Sequence, residues 1–284
     1  MSSRKFINLS QSVVVDADFE KAFRQLGLIS IDDIFSFNKG HNLAKSSLPS
    51  FRSRLKFEID SPQTALYLKR YDNPPVFAQL KNWFTARRKI SFGLSDFQIA
   101  ENLQTLGINT PKTVCFGQEH GAFFEKRSFS ITEQIPDAQS LEKKLPPCFY
   151  SFPTSEERLQ RKIFIRRLAD FIRKFHNTNY RHRDLYLSHI FYSNNDSFYL
   201  IDLSRTFKPL LLAERFRIKD IAQLFYSSPS KYFSKTDRLR FYHAFTGKNR
   251  LDKKDKRFIN KVIQKAKQMA IHDKKYGRIP PFEN

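Results

Sequence analysis

Apolar and polar positions alternate in strand fashion through the first half of the chain and recur at helical spacing through the second. Leu55, Phe57 and Ile59 alternate with polar residues, a Ser61-Pro62 turn follows, and Ala65-Leu66-Tyr67-Leu68 runs into Lys69. Two antiparallel strands between Phe51 and Tyr71 are the natural reading. Pro74-Pro75 then breaks the chain. A basic helix is predicted over 76–92, with Val76, Leu80 and Phe84 on one face, and a second over 95–106, stopped by Gly107 and Pro111. Further strands are predicted near 113–117 and 127–135, the latter ending in Ile131-Thr132-Glu133-Gln134-Ile135-Pro136. Residues 1–45 give weak signals, with a short apolar stretch from Ile29 to Phe37.

Beyond this point helical periodicity dominates. Phe164, Leu168, Phe171, Ile172 and Phe175 share one face of a helix over 157–177, opposite Arg161, Lys162, Arg166 and Arg167. Ile190-Phe191-Tyr192, a turn at Asn194-Asn195-Asp196, and Phe198-Tyr199-Leu200-Ile201 read as a hairpin. Helices over 214–227, 230–245 and 254–271 complete the chain. This order predicts an α+β fold in one domain of two lobes with a cleft between them. A small β-rich N-lobe spans 1–135, including an N-terminal extension, and a larger, mainly helical C-lobe spans 136–284.

Composition adds a charge problem. The 284 residues include 30 phenylalanines, enough for a substantial aromatic core, but also 50 Lys+Arg against 28 Asp+Glu, a formal charge of +22. Such an excess predicts attraction to nucleic acid, an anionic membrane surface, or an acidic or phosphorylated glycan. No nucleic-acid-binding motif is visible and the basic residues are spread over several helices, which argues against the first. Lys248 to Arg278, with twelve Lys/Arg against three Asp, suits either a solvated helix face or anionic lipid head groups. Cys115 and Cys148 lack metal or CxxC spacing, so free thiols are expected. Without a signal-like or membrane-spanning apolar run, a cytoplasmic protein resting on the inner-membrane face is expected.

The candidate chemistry lies after the long helix. His182-Arg183-Asp184-Leu185 is followed by His189, five residues past Asp184, and by Asp202, eighteen past it. Phosphoryl transfer needs a carboxylate at the acceptor hydroxyl, a metal bridging the phosphates and a cation on the phosphate tail. Asp184, in a tight loop after a helix, can supply the first. The hairpin carries the chain out and back, so Asp202 returns beside Asp184 and can bind magnesium. A lone His-Arg-Asp is more often a chance tripeptide with a capping Asp; the helix before it and the hairpin after it select the kinase reading. Lys69, at the end of an apolar strand, can reach the α/β-phosphates of ATP. Glu101 on the following helix can hold Lys69 in place, and Asp96 on the same helix is its competitor.

These residues resemble the lipopolysaccharide core kinases, the group of 3-deoxy-D-manno-octulosonic acid (Kdo) kinases and heptose kinases, distant relatives of protein kinases. The resemblance covers roughly residues 30–230. It rests on Leu68-Lys69-Arg70-Tyr71, Gly107-Ile108-Asn109-Thr110-Pro111, and Ile131-Thr132-Glu133 before Ser140-Leu141-Glu142. More specific are His182-Arg183-Asp184 with His189, Ile201-Asp202-Leu203-Ser204-Arg205, and Arg215-Phe216-Arg217-Ile218-Lys219-Asp220 in that order. The resemblance implies transfer of the ATP γ-phosphoryl group to a sugar hydroxyl, Kdo or heptose, of the lipopolysaccharide inner core. It implies Asp184 as catalytic base, Asp202 as Mg2+ ligand, and His189 where protein kinases place a metal-binding Asn. Lys69 with Glu101 would clamp the phosphates, Thr132-Glu133 would meet adenine through the backbone, and Asp220 would brace the catalytic loop.

The chain departs from the wider kinase pattern twice. Ser50 to Leu55, where a phosphate-covering loop is expected, has no glycine. Leu203-Ser204 replaces Phe-Gly after Asp202, and Asp220 arrives too soon for a long activation segment, which disfavours a phosphorylation-switched protein kinase. The residues leave two other readings open: a kinase of another small molecule or protein, and a catalytically dead kinase-like binding protein. Intact Lys69, Asp184 and Asp202 speak against the last.

Overall fold

The computed structural model describes residues 4–43, 49–150 and 154–281. The chain divides into two units, Met1–Thr105 with Thr110–Pro136, and Leu106–Asn109 with Asp137–Asn284.

In the first unit the weak signals of residues 1–45 conceal a hairpin, β1 (Phe6–Ser10) and β2 (Val13–Asp16), and two short helices, α1 (Glu20–Gln25) and α2 (Ile31–Ser36). A capping box starts α2: the Asp33 N–H donates to Ser30 Oγ at 3.2 Å and the Ser30 N–H to the Asp33 carboxylate at 2.8 Å. There follow β3 (His41–Asn42), β4 (Arg52–Asp60), β5 (Gln63–Asp72), α3 (Val76–Ala86), α4 (Phe92–Thr105), β6 (Thr113–His120) and β7 (Glu125–Glu133). The strands form one antiparallel sheet in the order β1-β2-β6-β7-β5-β4-β3.

Alternation along β5 sends Leu66, Leu68 and Arg70 to one face of this sheet and Lys69 and Tyr71 to the other. Leu66 and Leu68 join Leu55 and Phe57 of β4, Ile131 of β7, and Phe23 and Ile34 of the short helices in one apolar core. Lys69 and Tyr71 share the opposite face with α4. That helix approaches closely: a Cβ on Gly93 would lie 2.3 Å from the Phe129 carbonyl oxygen, so glycine is required there.

The helix expected over 76–92 is shorter. Arg87 turns left-handed at φ 60° and its N–H caps the Trp83 carbonyl, ending α3. The next helix starts at Phe92 rather than 95 because its N-terminal N–H groups are met from β7. Phe92 donates to the buried Glu125 carboxylate at 3.0 Å and Gly93 to Ser128 Oγ at 2.9 Å.

The second unit contains β8 (Ala138–Ser140), α5 (Ser155–Asn177), β9 (Ile190–Ser193), β10 (Phe198–Leu200), α6 (Ala213–Tyr226), α7 (Lys235–Thr246) and α8 (Lys253–Lys275). Its three strands run in the order β10-β9-β8. Leu106–Asn109, expected with the N-lobe, belongs here because it clips onto β10: Leu200 donates to the Asn109 carbonyl at 2.9 Å, and Asn109 Nδ2 to that of Phe198 at 3.1 Å. A capping box of Thr154 and Glu157 starts α5, which buries Phe164, Ile165, Leu168, Ile172 and Phe175. Each contributes about 1.5–3 kcal/mol on burial. Capping boxes also open α7 (Ser234 with Asp237) and α8 (Asp252 with Asp255). Arg161 of α5 ties to the buried Asp237 of α7 at 3.1 Å. Cys115 and Cys148 are buried thiols.

Candidate active site

Three side chains along one stripe of α6 and its C-cap shape the loop between α5 and β9. Asp220, fully buried, accepts the N–H of His182 at 2.9 Å, that of Arg183 at 2.7 Å and His176 Nε2–H at 3.2 Å. Gln223, a turn further on, accepts the Leu185 N–H at 3.1 Å and donates to the Arg183 carbonyl at 2.8 Å. Ser227, another turn on, accepts the Leu187 N–H at 2.9 Å. Spacing of i, i+3 and i+7 puts all three on one face. Together they hold Arg183 at φ 69°, a left-handed conformation that costs a non-glycine residue about 1–2 kcal/mol. Burial keeps the His176 imidazole below its ordinary value, so it is a neutral donor. Burial pushes the Asp220 carboxyl up, but the His176 N–H and the backbone donors outweigh it and hold the group low.

The same loop fixes the chain that returns from β10. His182 is wholly buried, and its Nε2 lies 2.9 Å from the Ile201 carbonyl, which can only accept, so Nε2 carries the proton. The Ile201 N–H donates in turn to the His189 carbonyl at 3.0 Å. With both peptide groups of Ile201 fastened to the loop, the next residue, Asp202, is held beside it.

Asp184 stands out from this frame with a fifth of its side chain exposed. Both carboxylate oxygens lie within 2.9 and 3.0 Å of one Arg205 nitrogen. Lys219 adds a further cation in this neighbourhood, its ammonium lowered by burial and by Arg205. His189 Nδ1 is 2.7 Å from the Asp184 carbonyl and therefore donates to it. In the neutral ring this leaves the Nε2 lone pair turned toward Asp202, whose Oδ2 lies 3.9 Å away. Ser204 Oγ donates to the other Asp202 oxygen at 3.2 Å. Among the described residues no group of three or more His, Cys, Asp or Glu is gathered as a metal cluster.

In the first unit Lys69 pairs in register with Arg54 of β4 and Ser130 of β7. Its Nζ lies 3.8 Å from Asp96 of α4. The Tyr71 hydroxyl donates to that carboxylate at 2.7 Å, with Ser130 Oγ at 3.5 Å. Burial first, then the Asp96 charge, raise the Tyr71 pKa and keep it a donor. The expected partner, Glu101, is engaged elsewhere: it pairs with Arg4, which also donates to the Thr113 carbonyl at 3.0 Å. Five residues turn a helix by about 140° beyond a full revolution, so only one of these two acids can face β5. The pair is Lys69–Asp96, not Lys69–Glu101.

Thr132 and Glu133 close β7. The Glu133 N–H already donates to the Lys112 carbonyl and the Gln134 N–H to that of Ala65, both at 2.8 Å, so neither can meet a ligand. Ser50 to Leu55 runs into β4 rather than forming a loop, and residues 44–48 lie outside the described residues.

The sequence singles out Asp184, Asp202 and Asp220, which the structure gathers around one loop. It places Arg205 in a motif without a role and leaves Gln223 and Ser227 unmarked, although these two repeat at helical spacing from Asp220 on the same stripe.

A phosphotransferase of protein-kinase-like fold is the class these elements define. The structure of "WaaP in complex with acyl carrier protein" has this fold, with a TM-score of 0.63 over 90% of this chain and 98% of that one at 18% identity. The chain belongs to the lipopolysaccharide kinase (Kdo/WaaP) family, whose profile matches residues 82–245. The match takes in Asp96 and the whole frame from His182 to Asp220 and begins after Lys69. The lipopolysaccharide core heptose(I) kinase WaaP of Escherichia coli K12 is 27% identical over 203 residues, covering 69% of this chain and 75% of that protein. The 3-deoxy-D-manno-octulosonic acid kinase of Vibrio cholerae is 26% identical over 153 residues, covering 52% and 60%.

Proposed function

We propose that this lipopolysaccharide kinase transfers the γ-phosphoryl group of ATP to a hydroxyl of an inner-core sugar, heptose or Kdo, with Asp184 as the base. The observation that carries the reading is the frame in which Asp220, Gln223 and Ser227 fix the loop under Asp184 while His182 and His189 fasten Ile201 beside it. Asp184 accepts the hydroxyl proton as the oxygen attacks phosphorus, and Arg205 orients its carboxylate. Arg205 and Lys219 also make the surroundings of Asp184 cationic, which suits an acceptor bearing carboxylate or phosphate groups.

Lys69, steered by Asp96, holds the phosphate tail. The backbone at the end of β7, from Thr132-Glu133 onward, meets adenine. Asp202 supplies a hard carboxylate oxygen and His189 Nε2 a nitrogen beside it, a set that fits magnesium, which needs only one or two carboxylates besides phosphate and water. Bound there, magnesium would neutralise charge on the transferring phosphoryl group.

The acceptor's lipid anchor supports a peripheral position on the cytoplasmic leaflet, as does the charge of +22. No helix of the described residues is long and apolar enough to cross a membrane.

Labelled ATP, purified protein and truncated lipopolysaccharides ending in Kdo or in heptose test the reaction, beside a generic protein substrate. Magnesium-dependent label on one of the glycolipids is expected, and which one carries it decides the sugar. Label on the protein substrate alone would overturn the reading.

A further inference from the structure

α3 is mounted with its polar side in. Gln79, 2% exposed, donates to the carbonyls of Pro74 at 2.8 Å and Glu125 at 3.0 Å and accepts the Glu125 N–H at 2.8 Å. Asn82 and Trp83 donate to the Ile90 carbonyl at 3.0 and 3.1 Å, and the indole stacks on Phe124 at 5.5 Å. The apolar residues face out: Phe77 is 80% and Phe84 85% exposed, with Val76 and Leu80 about half exposed between them. At 3.6 residues per turn these four share an arc of about 100°. Directional hydrogen bonds set the helix's rotation, so the outward apolar stripe is built in rather than a result of loose packing.

The stripe continues onto the exposed Phe123 in the β6–β7 turn, whose ring lies edge-on to Trp83 at 6.3 Å and under Lys89 Nζ at 4.2 Å. Its surroundings are cationic. α3 contains no acidic residue, Lys81 flanks the stripe, and the exposed Arg87, Arg88 and Lys89 follow its last turn. Soluble proteins rarely leave such a patch uncovered, and an apolar stripe bordered by Lys and Arg is the pattern of a helix lying in a lipid interface.

We propose that α3 seats the protein on an anionic bilayer, with Phe77, Leu80 and Phe84 entering the acyl boundary and Lys81, Arg87, Arg88 and Lys89 meeting the head groups. This rests on the peripheral-membrane reading above and makes α3, rather than the basic helix α8, the inserting element.

The chain's single tryptophan, Trp83, lies on α3 and reports on it directly. The full-length protein is titrated with vesicles of phosphatidylglycerol and phosphatidylcholine, with and without brominated acyl chains. Wild type should co-sediment and Trp83 should be quenched by the brominated lipid. Phe77→Ser with Phe84→Ser should lower partitioning by about 100-fold, roughly tenfold per buried ring. Its melting temperature and its transfer to a delipidated soluble acceptor should stay unchanged. Neutralising Lys253, Lys254, Lys256 and Arg257 of α8 should weaken binding by less than about threefold. Wild-type sedimentation of the ring variant, or an unquenched Trp83 in bound protein, would overturn the assignment. If only the α8 variant loses binding, the membrane reading stands and α3 falls; if wild type ignores the vesicles, both fall. Acyl carrier protein binding lost in the ring variant, without vesicle binding, would make the occupant a protein and also overturn it.

Discussion

The surroundings of Asp184 and those of Lys69 are organised by different means. Around Asp184, the loop's N–H groups are met by Asp220, Gln223 and Ser227, all buried on one helix, and the returning strand is tied on through both peptide groups of Ile201. Around Lys69 there is one ion pair at 3.8 Å, steadied by a tyrosine hydroxyl. The contrast follows from the roles proposed for the two groups. A base must meet a hydroxyl within hydrogen-bond reach and angle, so small displacements are expensive. A lysine acts on phosphate as a point charge, whose energy falls slowly with distance. Hydrogen bonds to the backbone are concentrated under Asp184, where the proposed chemistry depends most on geometry.

The largest effect that would sharpen this contrast is expected from Asp202→Ala, which removes the carboxylate that the returning chain holds beside His189. Turnover should drop about 10³-fold, and magnesium-dependent protection by ATP against thermal unfolding should vanish; full protection would show that Asp202 does not hold the metal. Asp220→Ala leaves two buried N–H groups and the His176 donor unmet. Urea unfolding of the second unit should show a loss on the order of 3–5 kcal/mol; a loss below about 1 kcal/mol would break the claim that this frame is over-determined.

A smaller effect tests the seat of α4, on which Asp96 depends. Burial pushes the Glu125 carboxyl up to about 7, against the pull of its Ser128 and Phe92 donors. The unfolded carboxyl titrates lower, so the native state holds the proton more tightly and stability falls as pH rises from about 4.5 through 7. Glu125→Gln removes that titration, and the stability difference between wild type and variant should shift by about 1–3 kcal/mol across this window in melts at several pH values. A flat difference would contradict the buried-carboxyl assignment. Asp96→Asn should weaken ATP binding about tenfold, or ~1.4 kcal/mol, while Glu101→Gln should change it less than about twofold. The reverse order would restore Glu101 as the partner of Lys69.

The frame around Asp184 was the more legible of the two regions because its signal is local. His182-Arg183-Asp184, the hairpin and Ile201-Asp202 lie within one short stretch, and hairpin geometry alone returns Asp202 to the loop. The choice between Asp96 and Glu101 was not legible. It depends on how α4 is rotated against the sheet, and that is set by Gly93 on Phe129 and by caps delivered from Glu125 and Ser128. The end of α3 was missed for a related reason, since Arg87 is a good helix former and its left-handed turn leaves no residue-type signal. The β1–β2 hairpin was hidden because its strands are short and its pairing with β6 is distant in sequence.

The division of labour is tested most directly by Asp184→Asn, with turnover on a lipopolysaccharide acceptor and ATP affinity measured on one preparation. Asparagine keeps the shape but cannot take the proton. Turnover should fall about 10²–10⁴-fold while ATP affinity stays within about twofold, because the proposed grip on the phosphates lies at Lys69 and Asp202 rather than Asp184. Near-normal turnover, or an equal loss of ATP affinity, would contradict the account.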